Sequence, residues 1–220
     1  MFTIFPELVR SAWSYDEERL AILVHRYFGK GEPLKTRHDF EEMLTKAGII
    51  LCYDTSQDTH GCLLIPDDRY QYPVFCIKKD LEWIEQKFLI ANLLGHFLFD
   101  HQIKLVSGNP KMGMKKETQS PYKRFLECKR PRQSQMEYQM IRLQWLSDEF
   151  AGSLLLPKQW LKKFVEHEKE PLLIAAHFSL PLEFLHARIR HIRQRQLVLN
   201  EVQGLNRKIS LSSKGHSLHP

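Results

Sequence analysis

Residues 87–101 read KFLIANLLGHFLFDH, and they lie inside a longer segment, 81–102, that is apolar over most of its helical surface. A helix of this kind is usually buried on several sides. We therefore expect it to be the central helix of the fold, with the other elements packed around it. Its longest apolar run, residues 88–99, is too short to span a bilayer, so we expect no membrane partner.

The same segment keeps the spacing of a metal-binding helix. Zinc sites of the HExxH type place two histidines one helical turn apart, with a glutamate directly after the first. Asn92 stands at the first histidine position, Leu93 stands at the glutamate position, and His96 stands at the second histidine position. Asn92 and His96 still share one face of the helix, because residues four apart lie one above the other.

The amino-terminal third of the chain changes from helical to extended periodicity. Apolar residues recur at helical spacing over residues 16–28 and again over 37–47, which predicts two helices. Three short β-rich runs follow at residues 48–54, 61–65 and 73–77, separated by turn-forming residues. We interpret them as three strands of a small antiparallel sheet.

The carboxyl-terminal half returns to helical periodicity. A long helix is predicted over residues 135–156, and Pro157 marks its end. A short amphipathic helix is predicted over residues 158–168, and a helical pair over 171–178 and 182–194. The expected fold class is therefore α+β, with a small antiparallel sheet packed on a helical bundle.

The length of the chain favours one domain. We expect this domain to cover residues 1–200, with a basic loop inserted at 105–133. Residues 201–220 are polar and rich in serine, glycine and lysine, which predicts a flexible tail.

Cysteine usage indicates a cellular compartment. The four cysteines form no CxxC pair, and the amino terminus lacks the basic region and apolar core of a signal peptide. Scattered cysteines without a secretion signal are typical of a reduced, cytoplasmic protein, in which they serve as small core residues.

The net charge of +6 is concentrated in one segment, since residues 111–132 hold eight basic and two acidic side chains. The simplest interpretation is a solvated loop. The alternative is a surface that contacts a partner protein or nucleic acid, with Tyr122 and Phe125 available for stacking. The residues expected to make such contacts are Lys115, Lys116, Lys123, Arg124, Lys129 and Arg130.

Three blocks together resemble the ImmA/IrrE-like metallopeptidases, which cleave repressors of phage, mobile-element and stress-response genes. The first is KFLIANLLGHFLFDH, which is similar to the RFTxAHELGHxLLH helix of that family. The second is WLSDEFAGSLLLP at residues 145–157, similar to ANxFAAELLMP. The third is LIAAHFSLPLEFLHARIRHI at residues 173–192, similar to LAxxFxVSxxAxxxRLxxL. The resemblance covers about residues 37–193 and implies a zincin-like core.

The resemblance also implies where the functional positions fall. The zinc histidines correspond to Asn92 and His96, the general-base glutamate corresponds to Leu93, and the third ligand, a glutamate, corresponds to Gln144. Zinc is held by imidazole, thiolate or carboxylate groups, whereas amide oxygens are weak, uncharged ligands. With Asp148 one turn further along, these residues would form a degenerate pocket without a metal or a catalytic base.

The sequence therefore predicts a peptidase-like protein that is catalytically inactive and has no cofactor. We expect it to regulate a protein partner, and the resemblance implies that this partner is a transcriptional repressor. One alternative is an active metallopeptidase whose zinc site is displaced to other ligands. A second alternative is a nucleic-acid-binding protein that uses the basic loop or the terminal helices.

Overall fold

A computed structural model describes residues 6–14, 16–55, 58–65, 72–101, 114–127, 138–167 and 170–196. The helices are α1 (Pro6–Trp13), α2 (Glu17–Tyr27), α3 (Arg37–Lys46), α4 (Trp83–His96), α5 (Pro121–Glu127), α6 (Tyr138–Leu155), α7 (Lys158–Glu166), α8 (Pro171–His177) and α9 (Leu182–Gln196). The strands are β1 (Ile50–Asp54), β2 (Gly61–Leu64), β3 (Val74–Lys78) and β4 (Met114–Glu117). The α+β class is confirmed.

The sheet has the strand order β1-β3-β2-β4 within these ranges. Strand β2 pairs antiparallel with both β3 and β4, but β1 pairs parallel with β3. The prediction of an antiparallel sheet is therefore wrong for one pair. The strand periodicity that predicted β1 and β3 does not specify direction, because apolar residues alternate in the same way in either orientation.

Helix α4 is the central element, as predicted. Every residue from Gln86 to His96 is buried, and the helix continues directly into a π-helical turn at Phe97–His101. Its closest neighbour is α6. A Cβ atom on Gly95 would lie 3.0 Å from Ser147 Cα, so the two backbones approach more closely than a larger residue would allow.

The predicted basic loop contains regular structure. Strand β4 and helix α5 both lie inside residues 105–133, where sequence periodicity indicated neither a strand nor more than a helical turn. Helix α5 is held by burial of Tyr122 and Phe125, whose rings contact Phe88 and Phe184. Residues 105–113 and 128–133 of the predicted loop lie outside the described residues, as does the predicted tail.

Helices α2, α6 and α9 meet around a second set of buried polar groups. Arg188 donates hydrogen bonds to Ser153 and to the Leu156 carbonyl, and it pairs with Glu18. These bonds satisfy a guanidinium that is nearly inaccessible to solvent. Among the described helices, none is by itself both long and apolar enough to cross a membrane; the bent pair α8 and α9 meets these criteria only when the two are taken together.

Candidate functional site

The crossing of α4 and α6 brings the predicted pocket residues together. Asn92 and His96 on α4 face Gln144 and Asp148 on α6, and the Asn92 side-chain amide donates to Asp148 Oδ1 at 2.8 Å. Asn92, His96 and Asp148 are all buried. Leu93 is fully buried in the hydrophobic core. Asn92, His96, Gln144 and Asp148 thus lie at one helix crossing, whereas Leu93 packs in the core. A functional role for these residues stays a prediction.

Strand β4 contributes a carboxylate that sequence reasoning missed. Glu117, which is only 2% exposed, places Oε1 3.2 Å from His96 Nε2. The Gln144 amide donates to both oxygens of the same carboxylate, at 3.3 Å each. Glu117 therefore connects the last residue of β4 to the two central helices.

Helix α5 contributes a guanidinium. Arg124 Nε and Nη2 donate to the two oxygens of Asp148 at 3.1 Å each, which is a bidentate pair. The same Nη2 also donates to Glu117 Oε2 at 3.2 Å, and Nη1 donates to the Gln119 carbonyl. Arg124 therefore bridges two buried carboxylates that come from different elements.

The electrostatics of this cluster are set by burial and by the guanidinium. Burial raises the pKa of Asp148 to about 7; Arg124 opposes this change, and the charges of Glu117 and Glu149 add to it. Burial alone would lower the pKa of Arg124, but the carboxylates of Asp148 and Glu117 outweigh it and raise that pKa. The arginine accordingly stays charged.

The residues present do not fit a zinc ion. Two of the three positions expected to bind the metal are neutral amides, and the nearby carboxylates of Glu117 and Asp148 already accept hydrogen bonds from Arg124. A dication beside this guanidinium would also meet a like charge. In the part of the chain that the structure describes, no three His, Cys, Asp or Glu side chains are grouped to hold a metal ion.

The residues predicted to contact a partner separate into three groups. Lys116 and Lys123 are exposed, so their contact with a partner stays a prediction. Arg124 must be reassigned, because its guanidinium points into the cluster and pairs with Asp148 and Glu117. The side chains of Lys115, Lys129 and Arg130 lie outside the described residues.

Sequence reasoning missed Glu117 and the internal role of Arg124 for the same reason. Both residues lie far along the chain from α4, in a segment whose basic composition suggested solvent exposure. The signal that was present is Glu117 itself, an isolated acidic residue in a basic segment.

Comparison with known families supports the resemblance. A family model described as the IrrE N-terminal-like domain, Peptidase_M78, matches residues 46–190. This range contains the four strands, helix α4 and the whole cluster around Arg124. A comparison with curated proteins gave no match.

Proposed function

Because the chain belongs to the Peptidase_M78 family of IrrE N-terminal-like domains, we propose that it is a catalytically inactive, metal-free member that acts by binding another protein. The family gives the chain a metallopeptidase-like scaffold. The central pocket of this scaffold holds the ion pairs of Arg124 with Glu117 and Asp148.

The observation that carries the proposal is the position of Arg124. Its guanidinium supplies a permanent positive charge between Glu117 and Asp148, in the pocket where the family scaffold would place a metal ion. Arginine has a very high pKa and forms planar, bidentate bonds with carboxylates. Unlike zinc, it has no coordination site for water and cannot generate a hydroxide nucleophile.

The general-base position, which Leu93 occupies, supports the same conclusion. A peptidase of this type needs a general base to take a proton from water, and Leu93 has no group that accepts one. The carboxylates of Glu117 and Asp148 in this pocket accept hydrogen bonds from Arg124. The pocket therefore retains shape and hydrogen bonding but has neither of the two groups that hydrolysis requires.

The sheet leaves an edge for a binding function. Strand β4 pairs with β2, so the β2 edge beside α4 is already occupied by the chain itself. Within the described ranges β4 ends the sheet, and we propose that an extended segment of the partner pairs with its outer edge. The partner we propose is a protein with an extended segment, and a transcriptional repressor is the candidate that the family resemblance suggests.

Metal binding by the full chain tests the proposal. Wild-type protein is equilibrated with excess zinc, passed through a desalting column and analysed for zinc. We expect far less than one zinc per chain. The matched comparison is the variant Asn92→His, Leu93→Glu, Gln144→Glu, Arg124→Gln, which restores the expected ligands and base and removes the guanidinium. If the scaffold is as described, this variant gains zinc.

A second measurement addresses the outcome of binding. A candidate repressor is mixed with the wild-type chain, and the complex is isolated by size-exclusion chromatography and examined by intact mass. The proposal predicts a complex in which both chains keep their full mass. Zinc at one per chain, lost in His96→Ala, together with a cleaved repressor would contradict it.

A further inference from the structure

Three cysteines lie in one row across the sheet. Cys52 on β1 is in register with Cys76 on β3, and Cys76 is in register with Cys62 on β2. Residues in register on neighbouring strands point to the same face of a sheet. The three thiols therefore lie side by side on one face, with Cys76 in the middle.

This face is the one that points away from the helices. Phe75 and Ile77, the neighbours of Cys76 on β3, are completely buried, whereas Cys76 itself is partly exposed. Cys52 is partly exposed as well, and Cys62 is buried. Two of the three sulfurs can therefore meet a small oxidant from solvent without unfolding of the sheet.

The two in-register pairs differ in geometry. The Cys52 and Cys76 sulfurs lie 2.7 Å apart, about 0.7 Å beyond the length of a disulfide bond. The Lys78 amide donates to the His60 carbonyl, and bonded and non-bonded pairs alternate along an antiparallel ladder. Cys62 and Cys76 thus form a backbone hydrogen-bonded pair, and their thiols also hydrogen-bond to each other. Cys76 therefore has a thiol neighbour on each side, of which Cys52 is partly exposed and Cys62 is buried.

The hydrogen bonding of the thiols distinguishes their roles. Hydrogen bonding to Cys62, followed by burial and hydrogen bonding to Cys52, raises the pKa of the Cys76 thiol. Cys76 therefore stays protonated at neutral pH and is a poor first nucleophile. Cys52 is partly exposed on β1, an outer strand of the sheet, and is therefore the thiol that we assign to the first step.

We propose that Cys52 and Cys76 form a reversible disulfide when the protein meets a peroxide, and that Cys62 can take the place of Cys52 by thiol–disulfide exchange. In the first step the Cys52 sulfur takes one oxygen from hydrogen peroxide and becomes a sulfenic acid, and one water is released. The Cys76 sulfur then attacks the Cys52 sulfur, and a second water leaves. Two electrons pass from the two thiols to the peroxide.

The exchange step needs no further oxidant. The Cys62 thiol loses its proton, and the thiolate attacks the Cys76 sulfur of the disulfide to form a Cys62–Cys76 bond. Cys52 leaves as a thiolate and takes up the proton that Cys62 lost. The number of disulfides stays the same. The inference is independent of the proposed function, since it concerns the opposite face of the sheet from the Arg124 cluster.

Peptide mapping of the full chain tests the disulfide. Reduced protein is treated with increasing hydrogen peroxide, free thiols are alkylated, and the protein is digested without reductant. Trypsin leaves Cys52 and Cys62 on one peptide, residues 47–69, so a second cleavage before Asp54 and Asp58 is needed to separate them. We expect a peptide pair that joins Cys52 to Cys76 and that disappears on reduction.

Single variants make the assignment specific. Cys76→Ser should abolish any disulfide among the three, because it removes the middle sulfur. Cys52→Ser should shift the product to Cys62–Cys76, at least several-fold more slowly, whereas Cys62→Ser should leave the rate of Cys52–Cys76 formation within about twofold. Cys128→Ser, which replaces the fourth cysteine of the chain, serves as the matched control and should behave like wild type.

Three outcomes would overturn the inference. One is that Cys52 and Cys76 both remain alkylatable at peroxide concentrations that oxidise an exposed thiol standard. Another is that Cys52 proceeds to sulfinic acid with Cys76 still free. The third is that the disulfide in wild type joins Cys128 to one of the row and is lost in Cys128→Ser.

Discussion

At the scale of single residues, the site centres on the guanidinium of Arg124, which pairs with two buried carboxylates. A zinc ion and an arginine both place positive charge between acidic groups, but only the metal activates water. Arg124 forms its bonds with Asp148 and Glu117 inside the protein, where each unpaired charge would be costly. The arginine is therefore expected to stabilise the fold as well as to occupy the pocket.

Replacement of Arg124 by methionine tests this stabilising role. The change keeps much of the side-chain volume but leaves two buried carboxylates without their cation, which typically costs about 3–5 kcal/mol. Urea denaturation should show a correspondingly lower free energy of unfolding. Lys123→Met, an exposed change on the same helix, is the control and should alter stability by less than about 0.5 kcal/mol.

The pH dependence of stability reports on Asp148. Its pKa in the folded protein is raised to about 7, mainly by burial, whereas an unfolded aspartate titrates near 3.9. The folded state thus binds this proton more tightly, and the resulting stabilisation is complete below about pH 4 and is lost as the pH rises through about 7. Melting temperatures measured from pH 5 to 8 should show this fall in wild type.

The variant Asp148→Asn isolates that contribution. It keeps an acceptor for the Asn92 amide and for Arg124, but it does not titrate. We expect a flatter melting-temperature profile between pH 5 and 8 than in wild type. Superimposable profiles for the two proteins would show that Asp148 does not titrate in this range.

At the scale of elements, the close crossing of α4 and α6 positions the cluster. Gly95 and Ser147 face each other at this crossing. Both helices carry cluster residues on the turns next to the contact, Asn92 and His96 on one side and Gln144 and Asp148 on the other. A change in the helix separation should therefore disturb the cluster.

Gly95→Ala is expected to destabilise the protein even though alanine favours a helix. The added Cβ would lie 3.0 Å from the Ser147 backbone, and overpacking of this kind typically costs about 1–3 kcal/mol. Ser147→Ala is the matched change across the same contact. It removes a buried hydroxyl that has no hydrogen bond among the described residues, so we expect it to be neutral or stabilising in urea denaturation. Equal losses in both variants would argue against the close crossing.

The sequence predicted the elements that carry local periodicity and missed those that depend on distant pairing. Helix α4 follows from apolar patterns and from helical spacing, whereas the facing position Gln144 on α6 was implied by the family resemblance, with Asp148 one turn further along. Strand β4, MKKE, has no apolar alternation, and it exists because β2 provides backbone hydrogen-bond partners. Glu117 could not be assigned to the cluster until that pairing was known.

At the scale of the whole molecule, the chain has a metallopeptidase-like scaffold, and the proposed function implies that its stability does not depend on a metal. The hydrophobic core contains residues of helices from α1 to α9. One fold can carry different pocket chemistries, because function is set by the residues of the site.

Thermal stability in the presence of metal or chelator tests this independence. A ligand that binds only the folded state raises its stability in proportion to the logarithm of ligand concentration. We expect the melting temperature of wild type to be unchanged by excess zinc and by a chelator. The variant with restored ligands, described above, should melt at a higher temperature in zinc and return to its starting value with chelator.

The most direct test of the central claim is a crystal structure of the wild-type chain grown with zinc, with diffraction data collected at the zinc absorption edge. We expect no anomalous density beside His96 and a guanidinium from Arg124 bonded to both Glu117 and Asp148. A strong anomalous peak within bonding distance of His96 Nε2, with Arg124 turned away, would contradict the central claim.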